Sequence, residues 1–368
     1  MEKKRRGILK IFFGLTFRFV LTVAALSLLL SYISVAIDPA KFSIPLFFGL
    51  YFIPILIINI ILLLIAFVCR SKSVWIPILI VTPSLLFAER FFKISGNAEL
   101  LQSRAPEVIT LQTYNVGRFR LSKEKLSQKD LQEMIAESIK KYNPDIVCLQ
   151  EVLFKDREKL RKMLPEYGSR AYHLFPSRWG GYGNLILSKF PIANAEKITF
   201  GQSRNLCLYA DIVIGADTVR VYNNHLESNR ISLTTLIKKI RDKNSSYEEV
   251  GEQIKQAHSK VRHSVILRSK QVNAVYRNVE QSPYPSIVCG DLNDTPMSYT
   301  YNKLAEGKKD TFKESGKGFG ASYSTLWPLL RIDYVFLPEN FESLSHKTER
   351  IELSDHYPVI TQFLIKKR

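Results

Sequence analysis

Two long uncharged apolar runs near the N-terminus limit what this chain can fold into more than any other feature. Phe19 to Ile37 runs for 19 residues without a charge, and Ile44 to Val68 runs for 25, with Asn59 as its only strongly polar side chain. A hydrocarbon layer about 30 Å thick is crossed by about 20 helical residues, so both runs are long enough to span a membrane. A third stretch, Val74 to Ala88, has 15 uncharged residues with Pro77 and Pro83 among them. Glu89, Arg90 and Lys93 are placed to snorkel and extend it to Ile94. Residues 1–95 therefore read as a membrane anchor of two to three transmembrane helices, about 11–37, 44–68 and 74–94. The third is read as a span, with a re-entrant or interfacial segment as the alternative.

Basic residues in the short loops set the orientation. Lys3, Lys4, Arg5, Arg6 and Lys10 precede the first run, Arg70 and Lys72 follow the second, and Lys41 stands alone between them. The N-terminus and second loop are expected in the cytoplasm. Three spans then place the C-terminal domain on the non-cytoplasmic side; two would leave it in the cytoplasm. The pattern is that of a multi-pass protein of a bacterial-type inner (plasma) membrane, with the lipid bilayer as its partner and no protein partner inferred. A cleaved signal peptide fits poorly, because further apolar runs follow the first.

Beyond a linker at 96–106 the pattern changes. Residues 107–368 carry short apolar runs between polar turns: ITLQTY (109–114), DIVCLQ (145–150), NLILS (184–188), VRVYNNHL (219–226), SIVCG (286–290), IDYVFL (332–337) and VITQFLI (359–365). These read as strands, several of them apolar on both faces, as in sheets covered on both sides. Leu131, Met134, Ile135 and Ile139 form a helical stripe that Ser127 and Asp130 are placed to cap. Leu236, Ile237, Ile240, Val261, Val265 and Ile266 suggest further helices within 229–280. Two packed sheets with helices outside them are the expected architecture.

Cys69, Cys148, Cys207 and Cys289 show no CxxC spacing and mostly sit in strand-like runs, so they read as buried free thiols. The net charge is +18; residues 101–368 hold 41 basic against 30 acidic side chains, and 230–270, which includes Lys238, Lys239 and Arg241, holds ten against four. That surplus favours a polyanion, either nucleic acid or an anionic membrane surface, although a generally basic surface has the same composition.

The polar residues with chemistry share a position: each ends or borders an apolar run. Asn115 ends TLQTYN, Glu151 follows DIVCLQ, and His225 lies near the end of VRVYNNHLES. Asp291 and Asn293 follow SIVCG, Asp333 sits in RIDYVF, and Asp355 and His356 form SDHYPV. Strand ends present side chains at the rim of a sheet. Glu151, Asp291, Asp333 and Asp355 converging there would repel one another unless a hard, oxygen-liganded cation such as Mg2+ lay among them. Singly, each has an ordinary reading; GDLND alone is a turn sequence.

Taken in order, YNV, DIVCLQE, GYGNLILS, NNHLES, GDLND, RIDYVF and SDHYPV closely resemble the endonuclease/exonuclease/phosphatase superfamily, which includes pancreatic deoxyribonuclease, apurinic endonucleases, neutral sphingomyelinases and inositol polyphosphate 5-phosphatases. The resemblance covers about residues 107–366. It implies a four-layer α/β sandwich, two packed mixed β-sheets flanked by helices, preceded here by the N-terminal transmembrane helices. It also implies a phosphodiester hydrolase dependent on Mg2+ or Mn2+. By resemblance, Glu151 is the principal metal-binding glutamate, supported by Asn115 and Asp355, with Asp291 beside it. Asp291 and Asn293 position the attacking water and the scissile phosphate. His356 is the catalytic histidine and Asp333 orients its ring, with Asp291 as direct base and His356 as phosphate clamp in the alternative. His225 contacts phosphate or protonates the leaving oxygen. Gly117 stands where apurinic endonucleases carry an acidic residue, and His225 where they use tyrosine, which weakens the repair reading. An endonuclease-like enzyme on nucleic acid ranks first. The alternatives are a sphingomyelinase-like phospholipid phosphodiesterase or phosphatase and, in another class, an inactive membrane-tethered binding module. The loop RWGGYG (178–183) reads as a plain turn or an aromatic loop facing substrate.

Overall fold

The computed structural model describes residues 2–97, 99–101, 107–120, 126–154, 162–178, 180–201, 203–229 and 246–366, with side chains from Phe12 onward. Two compact units divide the chain: Met1–Glu89 with Met297–Tyr299, and Arg90–Pro296 with Thr300–Arg368.

The first unit is helical. In α1 (Glu2–Ile33) the 22 residues Phe12–Ile33 are long and apolar enough to cross a membrane. The second apolar run is two helices, α2 (Ile44–Leu50) and α3 (Phe52–Val68), bent by 73° where they meet. Pro54 explains the break: its ring collides with the carbonyl four residues earlier, on Leu50, which is the last residue of α2. The third run is also not one helix over 74–94. It forms α4 (Trp75–Val81), a 3-10 turn at Thr82–Ser84 with Pro83 inside it, and α5 (Leu85–Ala88). Asn59 is buried and donates to the carbonyls of Ala24 (3.1 Å) and Ile55 (2.9 Å), and the Tyr32 hydroxyl donates to Ile80 O at 2.8 Å. Polar groups in apolar surroundings are costly unless paired, so these bonds fix which helix faces meet.

The second unit holds strands β1 (Phe92–Lys93), β2 (Ile109–Asn115), β3 (Ile146–Phe154), β4 (Ser169–Ser177), β5 (Gly180–Ser188), β6 (Ile192–Thr199), β7 (Leu206–Ile214), β8 (Asp217–His225), β9 (Ser286–Asp291), β10 (Lys308–Asp310), β11 (Gly318–Phe319), β12 (Asp333–Pro338), β13 (Phe341–Thr348) and β14 (Val359–Ile365). Its helices are α6 (Gln128–Tyr142), α7 (Tyr247–Glu280), α8 (Tyr299–Leu304) and α9 (Thr311–Ser315). One six-stranded sheet has the order β13-β14-β2-β3-β5-β4 and the other β10-β12-β9-β8-β7-β6. Each is mixed, with a single parallel pair, β2/β3 in one and β8/β9 in the other. Among the described residues β1 pairs only with β11, so Phe92 and Lys93 belong to this unit rather than to the apolar segment before it.

The sheets pack face to face. Leu111, Ile146, Cys148 and Ile186 of one meet Leu208, Val221, Ile287, Cys289 and Val335 of the other. The alternate residues of the first sheet, among them Val147, Leu149 and Leu187, face outward against Leu131, Ile135 and Ile139 of α6. Alternation along a strand thus places both apolar sets, and the sandwich has four layers. The helix α6 starts with the reciprocal capping box of Ser127 and Asp130 expected from the sequence. On α7, Val261, Val265, Val272, Val275 and Val279 are buried at helical spacing, and Arg268 lies in the same stripe. Leu236, Ile237 and Ile240 lie outside the described residues. Cys148, Cys207 and Cys289 are buried free thiols.

Candidate active site

The two parallel pairs bring their C-terminal ends to one rim. Asn115 ends β2, Glu151 lies near the end of β3, and His225 and Asp291 are register partners at the ends of β8 and β9. Asp333 begins β12 opposite Asp291. Local backbone geometry aims these side chains. Glu151 sits at φ 53 where the β3/β5 register slips between Leu149 and Val152, a bulge that redirects its carboxylate. Asn293 also has a positive φ of 54. Gly290 has φ 118, and a Cβ there would lie 2.1 Å from Asn224 O, so only glycine lets β9 approach β8 just before Asp291.

Asp291 is 1 % exposed and is the hub. Its Oδ2 accepts from Asn115 Nδ2 at 2.9 Å and Asn293 Nδ2 at 3.1 Å, and its Oδ1 accepts from the Asn293 N–H at 2.8 Å. Nε2 of His356 lies 3.8 Å and Nε2 of His225 3.9 Å from the same Oδ2. Nδ1 of His356 bonds Asp333 Oδ2 at 2.8 Å, which turns Nε2 toward Asp291. Glu151 lies 3.4 Å from His225 Nε2 and 3.1 Å from Arg118 Nε. Ser354 Oγ donates to Asn115 O at 2.8 Å and lies 3.3 Å from Asp355 Oδ1, tethering the Asp355–His356 segment to the end of β2.

Electrostatics follow this crowding. Burial pushes the Asp291 and Asp355 carboxyls up. Burial works the same way on Glu151, but His225 and Arg118 beside it outweigh that and bring it down to about 2. Burial disfavours charge on His356, yet Asp333 and Asp291 raise it well above the usual imidazole range.

Four carboxylates thus share one rim with Arg118 and two imidazoles. Among the described residues, His225 Nε2 and Asp333 Oδ1 are buried without a hydrogen-bond partner. Glu151, Asp291, Asp355 and the Asn115 carboxamide are oxygen donors of the kind a hard divalent cation takes, and such an ion would offset their repulsion, so the residues fit it. Asp291, Asp333 and His356 also converge, with donor atoms within 4.8 Å of one another. That group is a poorer cation site, because Asp333 and His356 are already bonded to each other.

All eight residues singled out from the sequence meet at this rim. Four more residues join them: three arginines that carry no sequence signal of their own, and a tyrosine from the RWGGYG loop. Arg118 lies with its guanidinium 5.0 Å from the Tyr182 ring centre, and Tyr182, from the RWGGYG loop, lies in β5 with its side chain buried. Arg204 lines the adjoining cavity. Arg268 is fully buried and joins the loops after β8 and β9. Arginines at loop starts or in a helix look like surface charge, so nothing in the sequence marks them. Trp179, Lys238, Lys239 and Arg241 lie outside the described residues.

Residues 113–356 match the Endonuclease/Exonuclease/phosphatase family, and residues 10–91 match a domain of unknown function (DUF8431). No curated protein matches. Among solved structures, an endonuclease/exonuclease/phosphatase from Beutenbergia cavernae is similar at TM-score 0.52 and 19% identity, covering 71% of this chain and 72% of that one. One from Bacteroides vulgatus is similar at 0.52 and 16%, covering 70% and 99%. The human Nocturnin catalytic domain, solved with a bound sulfate anion, is similar at 0.51 and 19%, covering 71% and 95%. These likenesses show a shared fold. With a match that spans most of its length, the chain belongs to the endonuclease/exonuclease/phosphatase family, whose members are hydrolases of phosphoester bonds that use divalent metals.

Proposed function

We propose that this protein is a membrane-anchored phosphodiesterase that depends on Mg2+ or Mn2+ and cleaves nucleic acid. The observation that carries the reading is the convergence of Glu151, Asn115, Asp291 and Asn293 with His225 and the Asp333–His356 pair at one rim. Glu151, Asn115, Asp355 and Asp291 would hold the cation. When bound, it neutralises charge on the non-bridging phosphate oxygens and acts as a Lewis acid.

The chain's own residues do the rest. Asp333 fixes the His356 ring so that Nε2 faces the site, where it takes the proton of the attacking water. Both oxygens of Asp291 already accept N–H donors, three in all, which fixes the carboxylate in place, so it positions the water instead. Asn293 holds Asp291 and faces the scissile phosphate. His225 delivers the proton to the leaving oxygen. Anchoring is assigned to residues 1–89, through Phe12–Ile33 and the bent pair that follows.

The test uses the full chain in detergent with bis(p-nitrophenyl) phosphate, DNA, RNA and sphingomyelin vesicles, with and without chelator. Metal-dependent cleavage of nucleic acid is expected. The anchor gives a phospholipid reading its one supporting observation, since head groups lie within reach. Release of phosphorylated head groups with DNA and RNA left intact would put that reading in place of the first.

A further inference from the structure

We propose that Arg118 and Arg204 form a subsite for a second phosphate of the substrate, next to the phosphoester being cleaved. This rests on the phosphodiesterase reading and narrows it. The substrate must carry another anionic phosphate beside the scissile one, as a nucleic acid strand does and a choline phospholipid does not.

A cavity of about 480 Å³ opens beside Glu151 and His225, with Arg118, Arg120, Arg204 and Tyr182 in its walls. That is the size of a pocket for a nucleotide-sized ligand. Among the described residues lining it, Glu151 is the only carboxylate, and it already faces Arg118 and His225. These described residues, three arginines against one glutamate, therefore carry surplus positive charge.

The Arg118 side chain and the backbone that bears Arg204 are both held in place. Arg118 follows Asn115 in a tight turn at φ 59, stacks on Tyr182 at 5.0 Å and keeps its side chain 55% exposed, so its free edge faces solvent. Arg204 lies in the β6–β7 connection between two pinned neighbours. Ser203 Oγ donates to Glu227 Oε2 at 2.9 Å, and Asn205 Nδ2 donates to Leu226 O at 2.8 Å. Leu226 and Glu227 directly follow His225, so the loop bearing Arg204 is fixed to the segment bearing a catalytic candidate.

The two guanidinium groups thus approach one cavity from different sheets. Their planar forks match phosphate oxygens, which a lysine ammonium would meet only as a point charge. Tyr182 and Leu153 add an apolar wall suited to a sugar or base. A quaternary ammonium head group needs an aromatic or anionic cage and would be repelled by the arginines.

The experiment measures binding to the full chain in detergent by titration calorimetry. Thymidine 3′,5′-bisphosphate is compared with thymidine 3′-monophosphate, and inositol 1,4-bisphosphate serves as a non-nucleotide with two phosphates. The nucleotide bisphosphate is expected to bind about tenfold tighter than the monophosphate, as one added charge-assisted contact implies. Arg204→Gln, an exposed change that spares the fold, should bring that ratio close to one, and Arg204→Lys should restore part of it. Equal affinities in the unaltered protein, or a ratio unmoved by both Arg204→Gln and Arg118→Gln, would overturn the subsite. An advantage for inositol bisphosphate without one for the nucleotide would overturn the nucleic-acid assignment. Hydrolysis of bis(p-nitrophenyl) phosphate, which has a single phosphate, tests the phosphodiesterase reading separately, while the binding ratio still decides the subsite.

Discussion

Arg268 Nε lies 3.0 Å from Asp294 Oδ2, both side chains almost wholly buried, and the same guanidinium donates to Glu227 O and Asn229 Oδ1. One cation thereby ties the segment two to four residues after His225 to the residue three after Asp291. Removing one member of a buried pair leaves the other charge unpaired, at a cost of about 3–5 kcal/mol. Arg268→Met is expected to lower the urea midpoint by an amount of that order, and Arg268→Met with Asp294→Leu should recover part of the loss. A single variant as stable as the parent would show that the clamp is dispensable.

Chelation should abolish phosphodiesterase activity, and Mg2+ or Mn2+ should restore it. Glu151→Gln keeps the shape but loses a charge, so it should raise the metal concentration for half-maximal rate. Titrating activity against metal checks this. Undiminished turnover in excess chelator would sink the cation's role.

His356→Ala and Asp291→Asn should each lower kcat by about 10²–10⁴, the range typical of general acid–base help. Asp333→Asn should lower it less, because the ring stays while its orientation loosens. Steady-state kinetics decides, and a near-normal kcat in His356→Ala would shift the base to another group.

His346 predicts an acid-side loss of stability. It is buried, Thr311 Oγ1 lies 2.8 Å from Nδ1, and Nε2 has no partner among the described residues. Burial pulls its pKa from 6.5 down to about 3. The unfolded chain therefore binds a proton below about 6.5 that the folded chain refuses. Stability from this group is complete above that pH and is lost as pH falls toward 3, by up to about 1.4 kcal/mol per unit. His346→Asn should flatten the fall in urea midpoint between pH 6 and 4. Parallel curves for parent and variant would refute the assignment.

Topology can be read with reporters fused after Arg368 in a Gram-negative host. Three crossings put the fusion in the periplasm, where only a periplasm-active reporter responds. Signal from a cytoplasm-active reporter instead would mean that Trp75–Ala88, short and broken at Pro83, does not cross.

Period and punctuation make part of this fold legible in the sequence alone. The central strands β2, β3, β8, β9, β12 and β14 are apolar on both faces, so their runs announce themselves, and Ser127 with Asp130 marks a helix start. The edge strands β4, β6 and β13 leave no such run: with a neighbour on one side only, they carry exposed residues, five in a row on β6. Motif order points to Glu151, Asp291, Asp333 and His356 because that chemistry tolerates few residue types.

The sequence by itself determined the apolar N-terminal segment, the α/β class and the identity of the groups at the rim, since each depends on local pattern or residue chemistry. Only the tertiary structure decided that Arg118 lies on Tyr182 against Glu151 and that Arg268 clamps two loops. Those outcomes depend on which distant strands become neighbours and on backbone geometry within them, and a side chain 33 residues away, as Glu151 is from Arg118, leaves no periodic trace of the contact.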